Sequence, residues 1–409
     1  MADRPYAGLR ALSARRIVAH LADAAARWSD ADFPPRVRAT AAIEARLRYS
    51  QPVIDYALDR LFGGVTREAL EAAIAAELGS VDALDGVTAR RGAPAAWARG
   101  VERVAIVSSD TTIGVAIVPA VFALCAKCEV VVKDRSDAVV AAFFGSLAEE
   151  HPAFAHAAQA RVWSGGDDPG ESELLAGSDV VVAFGGADAL LAIRARCGPE
   201  TRFVAFGHRA SVGRLTRADA AALDDALADR IVRDAVLYDG EGCLSLHALF
   251  AQTEGAELAR VARILAAACE RVAVEFPGGE RAPQRIAALA AYRNLAAFRA
   301  ASGRGALLRA ADATVVVDPP GDETLVFLPR TLPLIPVDDD AAIVRYARAQ
   351  RLPVQALGVV AADAAAVALA ERLGAVRVAP FGALQAPPLG GHHGGAPRIA
   401  DFVRWIDRE

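Results

Sequence analysis

The sequence predicts an α/β protein in which two doubly wound α/β domains with parallel sheets follow a helical lead-in. Three observations predict it. Short apolar runs of strand length alternate with helix-length segments from about residue 101 onward; the alternation falls into two series that meet near Tyr238; and the first hundred residues show only helical spacing of apolar side chains. Strands joined by helix-length crossovers pair in parallel, because each crossover must cover one face of the sheet.

Residues 1–100 are rich in Ala and Arg, with helical periodicity at Ile17, Leu21, Ala24 and Ala25 and again from Leu70 to Leu78. Gly92-Ala93-Pro94 and Gly100 close this segment. The first α/β domain, 101–236, then reads as strand Val104 to Val107, helix Ile113 to Cys125, strand Val130 to Val132, helix Ala138 to Glu149, strand Val180 to Phe184, helix Ala187 to Ala195, strand Arg202 to Phe206 and a long helix from Arg217 to Ala235. The second, 237–389, holds strands at Leu246 to Phe250, Thr314 to Val317, Leu325 to Leu328, Gln355 to Val360 and Val376 to Val378. Its helices lie at Glu257 to Cys269, Ile286 to Phe298, Ala341 to Ala349 and Ala364 to Leu373. The tail, 390–409, is a glycine-rich stretch ending in Phe402-Val403-Arg404-Trp405-Ile406, an apolar end expected to pack on the body or on a sister subunit of a homo-oligomer, or to serve as a last core element.

Composition narrows the function. With 45 Lys plus Arg against 50 Asp plus Glu, the net charge of −5 disfavours a nucleic-acid partner. The longest apolar stretch, Ile113 to Ala126, contains Gly114 and Pro119, and it falls short of the roughly 18 residues of a membrane span. No signal-like pattern opens the chain, and five scattered cysteines make a poor disulfide framework, so the expectation is a cytoplasmic protein with reduced thiols.

No GxGxxG opening a helix, GxxxxGK[ST], HExxH or GxSxG occurs. Cys125 and Cys128 form a CxxC at the end of an apolar helix without a second pair to complete a zinc site; the plain reading is two core thiols, the alternative redox or metal chemistry. Cys197 and Cys269 read the same way. Cys243 differs, because Asp239-Gly240-Glu241-Gly242-Cys243 puts a thiol after two glycines, between a long helix and an apolar strand. Such a turn presents a nucleophile with its own N–H facing a ligand; the alternative is a packed loop cysteine. His247, four residues on, is a candidate dyad partner or a packed histidine.

Four collinear stretches carry a resemblance. Ser108-Ser109-Asp110 through Lys133 resembles a first strand, its helix, and a strand ending in a cofactor-binding lysine. Val180 to Ala187, with Phe184-Gly185-Gly186, resembles the strand and glycine turn along a dinucleotide. Gly240-Glu241-Gly242-Cys243 resembles a catalytic cysteine segment. Phe327-Leu328-Pro329 with Ile335, and Gly390 to Trp405, resemble the stretch behind the active site and the tail. Together they resemble the aldehyde dehydrogenase superfamily, and within it the acyl-CoA reductase family known from the fatty acid reductase complex of bacterial bioluminescence.

The resemblance implies an aldehyde-dehydrogenase-like fold with a cleft between the two α/β domains, and NADPH-dependent reduction of an acyl thioester to an aldehyde through an acyl group on Cys243. The acyl donor would be acyl-CoA, an acyl carrier or an acyl-protein synthetase partner. It implies catalytic positions at Cys243, Asp110 and Glu241, Glu241 standing where the superfamily usually has glutamine and Asp110 where it usually has asparagine. Thr111 or Thr112 could supply a hydroxyl in its place, or cap a helix with Ser109 and Asp110. It implies cofactor binding by Ser109, Lys133, Arg135, Ser136, Phe184, Gly185 and Gly186; Lys133 and Arg135 read alternatively as a solvated pair. Ser136 replaces the glutamate that repels a 2′-phosphate, which favours NADPH. Leu325 stands where a glutamate contacts the nicotinamide ribose. Val204 to Ser211 lacks the glutamate that activates a hydrolytic water in oxidative members, which favours reduction over an oxidative aldehyde dehydrogenase. A non-catalytic subunit with a decayed site is the remaining alternative.

Overall fold

A computed structural model describes residues 7–109, 112–134, 138–163, 169–318 and 325–409. The chain divides into two compact units. One is formed by residues up to Leu47, Ile54–Gly207 and Pro388–Glu409, the other by Arg48–Val53 and His208–Pro387.

In the first unit, a five-stranded sheet runs in the order Ala158–Val162, Glu129–Asp134, Arg103–Val107, Val180–Phe184, Arg202–Phe206, with every neighbouring pair parallel. The central strands are apolar on both faces, as a sheet covered on two sides requires. From Arg103–Val107 the chain steps outward to one edge and then returns to build the other, so a topological switch lies between Arg103–Val107 and Val180–Phe184. Ligands of open α/β sheets bind outside the carboxyl ends of the strands at such a point. The lead-in forms a helical layer: Ile17, Leu21, Ala24 and Ala25 of helix Ala14–Arg27 are buried, and Trp28 stacks on Phe62 while its indole N–H donates to Ser146 Oγ at 3.2 Å.

The lead-in is not helical to its end. Thr88–Arg90 and Ala93–Gly100 are strands, and Val403–Arg408 of the tail pairs antiparallel with Ala93–Gly100 to complete a three-stranded sheet. The tail thus packs on its own unit. Alanine, the best helix former, hides the two-residue alternation of Ala93–Gly100, and its pairing partner lies some 300 residues away in sequence.

The second unit contains a seven-stranded sheet in the order Ala306–Ala310, Ala313–Val317, Thr331–Pro336, Leu246–Ala251, Ala210–Leu215, Val354–Val359, Arg377–Pro380, parallel except for the first hairpin. Phe250, Val212, Ile335, Ile343, Leu357 and Leu369 lie in its core. Three expectations are corrected here. The boundary falls after Gly207, not near 236, because Ala210–Leu215 inserts between Leu246–Ala251 and Val354–Val359; Ser211, Gly213 and Arg214 mask its strand character. The long helix from Arg217 is two helices, Arg217–Ala221 and Asp225–Val236, the second restarted by Asp224, whose side chain accepts the Leu227 N–H at 2.8 Å. Leu325 to Leu328 is irregular; Pro329 and the left-handed Arg330 (φ 47°) turn the chain before the true strand begins at Thr331.

Candidate active site

The backbone leading to Cys243 is unusual. Tyr238 (φ 53°), Asp239 (φ 52°) and Gly240 (φ 74°) are successive left-handed residues, a conformation that costs about 1–2 kcal/mol at each non-glycine position. Arg330 holds the turn in place. Its backbone N–H donates to the Asp239 carbonyl at 2.9 Å, and its buried guanidinium reaches Asp312 Oδ1 (2.8 Å), the Phe276 carbonyl (2.7 Å), the Val236 carbonyl (3.3 Å) and Asp239 Oδ1 (3.4 Å). A side chain at Gly240 would also meet the Ala235 carbonyl at 2.9 Å.

Past the turn, the loop is pinned from beneath. Ser211 Oγ donates to the Cys243 carbonyl at 2.8 Å, and the Ser245 N–H donates to the Gly242 carbonyl at 2.9 Å. Gln385 Nε2 donates to Ser245 Oγ at 2.7 Å and to the Asp234 carbonyl at 3.2 Å. Asp234, fully buried, accepts the N–H groups of Gly382 and Leu384 at 2.6 and 3.2 Å.

Cys243 is exposed, whereas Cys125, Cys128 and Cys269 are buried and Cys197 is half-buried. One side of Cys243 faces solvent, while the protein crowded around the rest of the residue pushes its thiol above the ordinary range. The backbone N–H groups of Cys243 and Leu244 and the Arg209 cation pull the other way. The arrangement is a solvent-facing thiol with two N–H donors and one cation close to its sulfur. Burial drives the thiols of Cys125 and Cys128 far up and that of Cys269 up to about 12, the state of inert core thiols.

His247 is packed, not paired with the thiol. Its Nδ1 accepts the Ser211 N–H at 3.1 Å, it is hydrogen-bonded to the Gly240 backbone, and its ring meets Phe327 edge-on at 5.0 Å. Burial lowers its pKa to about 4, so the imidazole is neutral at physiological pH. Glu241 is engaged by Arg285, whose Nε lies 2.9 Å from Glu241 Oε1 and whose Nη1 donates to the Phe327 carbonyl at 3.4 Å.

Of the residues expected to bind cofactor, Ser109, Lys133, Phe184, Gly185 and Gly186 lie in the first unit, at the C-terminal ends of adjacent strands astride the switch point. Ser109 follows Arg103–Val107, Lys133 closes Glu129–Asp134, and Phe184-Gly185-Gly186 ends Val180–Phe184. Lys133 is buried and its Nζ sits 2.8 Å from Glu171 Oε1, also buried, and 5.4 Å from the centre of the Trp163 ring. Arg196 approaches Glu171 Oε2 at 3.5 Å. Phe184 stacks on Phe206 at 5.0 Å, and Phe206 stacks on His393 at 4.0 Å. Gly185 takes a positive φ of 159°, and Gly186 caps helix Ala187–Arg194. Asp110, Arg135 and Ser136 lie outside the described residues.

This edge suits a dinucleotide. Trp163 Nε1 is buried without a hydrogen-bond partner among the described residues, and Glu171 Oε2 has the Arg196 cation at 3.5 Å but no hydrogen bond among them; with the Lys133 ammonium they offer an acceptor and donors for ribose hydroxyls. Sequence reasoning missed Glu171, Ser211, Arg330, Gln385 and His393. Only Glu171, an acid in the first turn of helix Pro169–Ala176, left a local signal. Among the described residues no group of His, Cys, Asp or Glu could hold a metal ion, and no helix is long and apolar enough to cross a membrane.

Residues 9–405 match the family described as acyl-CoA reductase (LuxC). No curated protein matches. Among solved structures, the fold is similar to an NAD-dependent benzaldehyde dehydrogenase from Corynebacterium glutamicum (14% identity, TM-score 0.69, covering 98% of this chain and 87% of that one). It is also similar to aldehyde dehydrogenase 21 from Physcomitrella patens (13%, 0.71, 97% and 86%). A proline utilization A protein from Bradyrhizobium japonicum matches as well (18%, 0.70), with 98% of this chain spanning 43% of that one.

Proposed function

Since the chain belongs to the acyl-CoA reductase (LuxC) family, and is thus an NAD(P)-dependent oxidoreductase acting on acyl and aldehyde groups, we propose that it reduces a fatty acyl thioester to an aldehyde through an acyl group carried on Cys243, with NADPH as reductant. The observation that carries the proposal is the thiol itself: of five cysteines, Cys243 is the one that is exposed, and its backbone carbonyl is held by Ser211.

In this reading the Cys243 thiolate attacks the thioester carbonyl carbon, the new C–S bond forms, and coenzyme A leaves as a thiolate that takes up a proton. The N–H groups of Cys243 and Leu244 are the nearest donors for the oxyanion. When bound, the reduced dinucleotide supplies hydride to the carbonyl carbon of the acyl group. The resulting thiohemiacetal on Cys243 then breaks its C–S bond to release aldehyde and regenerate the thiolate. Glu241, neutralised by Arg285, and His247, neutral and packed, hold the loop and move no proton. Strand Arg202–Phe206 ends in Phe206, stacked on His393, with no carboxylate there to activate water, which supports transfer to hydride over hydrolysis.

Lys133 supports dinucleotide binding, and Arg135-Ser136 in the sequence supports NADPH. Glu171 tempers that preference by neutralising Lys133, so NADH is accepted as well. The acyl group arrives from coenzyme A or from an acylated partner protein.

The test is intact-protein mass spectrometry after incubation with an acyl-CoA in the absence of dinucleotide. One acyl mass on Cys243, absent in Cys243→Ser and discharged as aldehyde on adding NADPH, is expected. An unmodified Cys243 overturns the proposal, and release of free acid moves it to an oxidative aldehyde dehydrogenase.

A further inference from the structure

We propose that an open basin beside helix Pro283–Ala301 is a binding site for an organic phosphate, and that its ligand is the phosphorylated nucleotide end of the acyl donor, coenzyme A. The assignment rests on the acyl-thioester reading above and adds the place where the donor's charged end is held.

The basin, of about 490 Å³, lies wholly within the second unit. Arg281, Arg293 and Arg309 converge on it with Asn294, and Ile286 and Leu289 supply an aliphatic wall. No carboxylate is among its lining residues within the described part of the chain. Asp312, which faces Arg281 and Arg293, is already committed: its Oδ1 accepts from Arg330 Nε at 2.8 Å and its Oδ2 from the Gly278 N–H. Arg293 is fixed by Thr314 Oγ1, which accepts from its Nε at 2.8 Å, and Arg281 Nη2 donates to the Asp312 carbonyl at 3.2 Å. Arg281 Nε is buried and without a hydrogen-bond partner among the described residues.

Three guanidinium groups held together repel one another. Burial and then the charges of Arg309 and Arg281 hold Arg293 below the ordinary arginine range, with Asp312 opposing them only in part. Such an arrangement is relieved by a polyanion, and planar guanidinium forks match phosphate oxygens two at a time. The aliphatic wall suits the flat apolar face of a nucleobase, which inorganic phosphate does not have.

The helix links the basin to the thiol. Arg285, which binds Glu241 two residues before Cys243, stands eight residues before Arg293 on the same stripe, a rise of about 12 Å along the axis. An extended thiol-bearing arm bridges that distance, so a donor anchored by its phosphates at Arg281, Arg293 and Arg309 points its thioester toward the Cys243 loop.

The test is calorimetric titration of the full chain, carrying Cys243→Ser to remove turnover, with adenosine 3′,5′-bisphosphate, inorganic phosphate and adenosine. The bisphosphate is expected to bind, the other two at least about tenfold more weakly, and Arg309→Glu, at an exposed edge-strand position, to weaken the bisphosphate by about tenfold or more. Arg281→Met should do the same. Equal binding of phosphate and bisphosphate, no binding of the bisphosphate, or binding indifferent to both variants overturns the assignment. An acyl group that never appears on Cys243, with bisphosphate binding intact, overturns the reading of the reaction alone.

Discussion

Lys133 Nζ and Glu171 Oε1 stand 2.8 Å apart at the carboxyl edge of the five-stranded sheet, and both side chains are almost entirely removed from solvent. Desolvating two charges is costly, and breaking such a pair from one side costs about 3–5 kcal/mol because the other charge is left uncompensated. Lys133→Met is therefore expected to lower the melting temperature markedly. Glu171→Gln keeps the shape and frees the ammonium to meet a 2′-phosphate. The ratio of NADH to NADPH dissociation constants, measured by dinucleotide fluorescence without turnover, should move toward NADPH by about tenfold, the worth of roughly 1.4 kcal/mol. An unchanged ratio would mean that Lys133 does not face the adenosine ribose.

Because crowding raises the Cys243 thiol while Arg209 and two N–H groups lower it, the thiolate is the minor form at neutral pH. Its alkylation by iodoacetamide should keep rising with pH from 7 upward and should not level off near neutrality. Arg209→Ala should slow the reaction at every pH in that range. Peptide mapping of the native protein should find Cys243 labelled first and Cys125 and Cys128 last, since the latter two are enclosed in the core. A plateau near pH 7 would show a thiolate stabilised beyond anything these neighbours supply.

The parts of this architecture that were legible in the sequence are those in which one short segment carries its own signal. Val130-Val131-Val132 and Val180 to Phe184 are apolar on both faces and read as buried parallel strands without reference to anything distant. The glycines around Glu241 announce a turn, and the turn carries the exposed thiol. What was hidden depends on partners far away in sequence. Ser211 is an ordinary serine until strand Ala210–Leu215 inserts beside Leu246–Ala251 and brings its hydroxyl to the Cys243 carbonyl. Arg330 in Leu328-Pro329-Arg330-Thr331 has the look of a surface residue; only the folded chain buries it and surrounds it with the Asp312 and Asp239 carboxylates and two carbonyls. Val403–Arg408 shows its apolar character, but not that Ala93–Gly100 is its mate.

His247 separates a positioning role from a chemical one. It bridges the Ser211 N–H and the Gly240 backbone and is neutral down to about pH 4. In His247→Leu both contacts are lost, the cysteine loop is less well fixed, and kcat should fall by about tenfold or more, since small misplacements of a nucleophile carry penalties of that order. The shape of the pH–rate profile between pH 6 and 9 should stay the same, because no proton leaves or joins the imidazole there. A shifted acid limb in the variant would instead assign His247 as the base of Cys243.

Asp234 gives the loop a pH-dependent anchor. Burial raises its carboxyl from the usual range to about 7, against the opposing pull of the Gly382 and Leu384 N–H groups and the Arg377 cation. In the unfolded chain the same group ionises near pH 4. Between those values the native state holds a proton that the unfolded state has released, so raising the pH favours unfolding. The stability contributed by this group is complete below about pH 4, declines as the pH rises toward about 7, and is constant above that. Asp234→Asn removes the titration. Although the amide loses one of the two N–H contacts and lowers the melting temperature at pH 5, its melting temperature should change less than that of the wild type between pH 5 and 8. Thermal denaturation of the two proteins across that interval decides the matter, and parallel curves would show that Asp234 remains ionised in the folded protein.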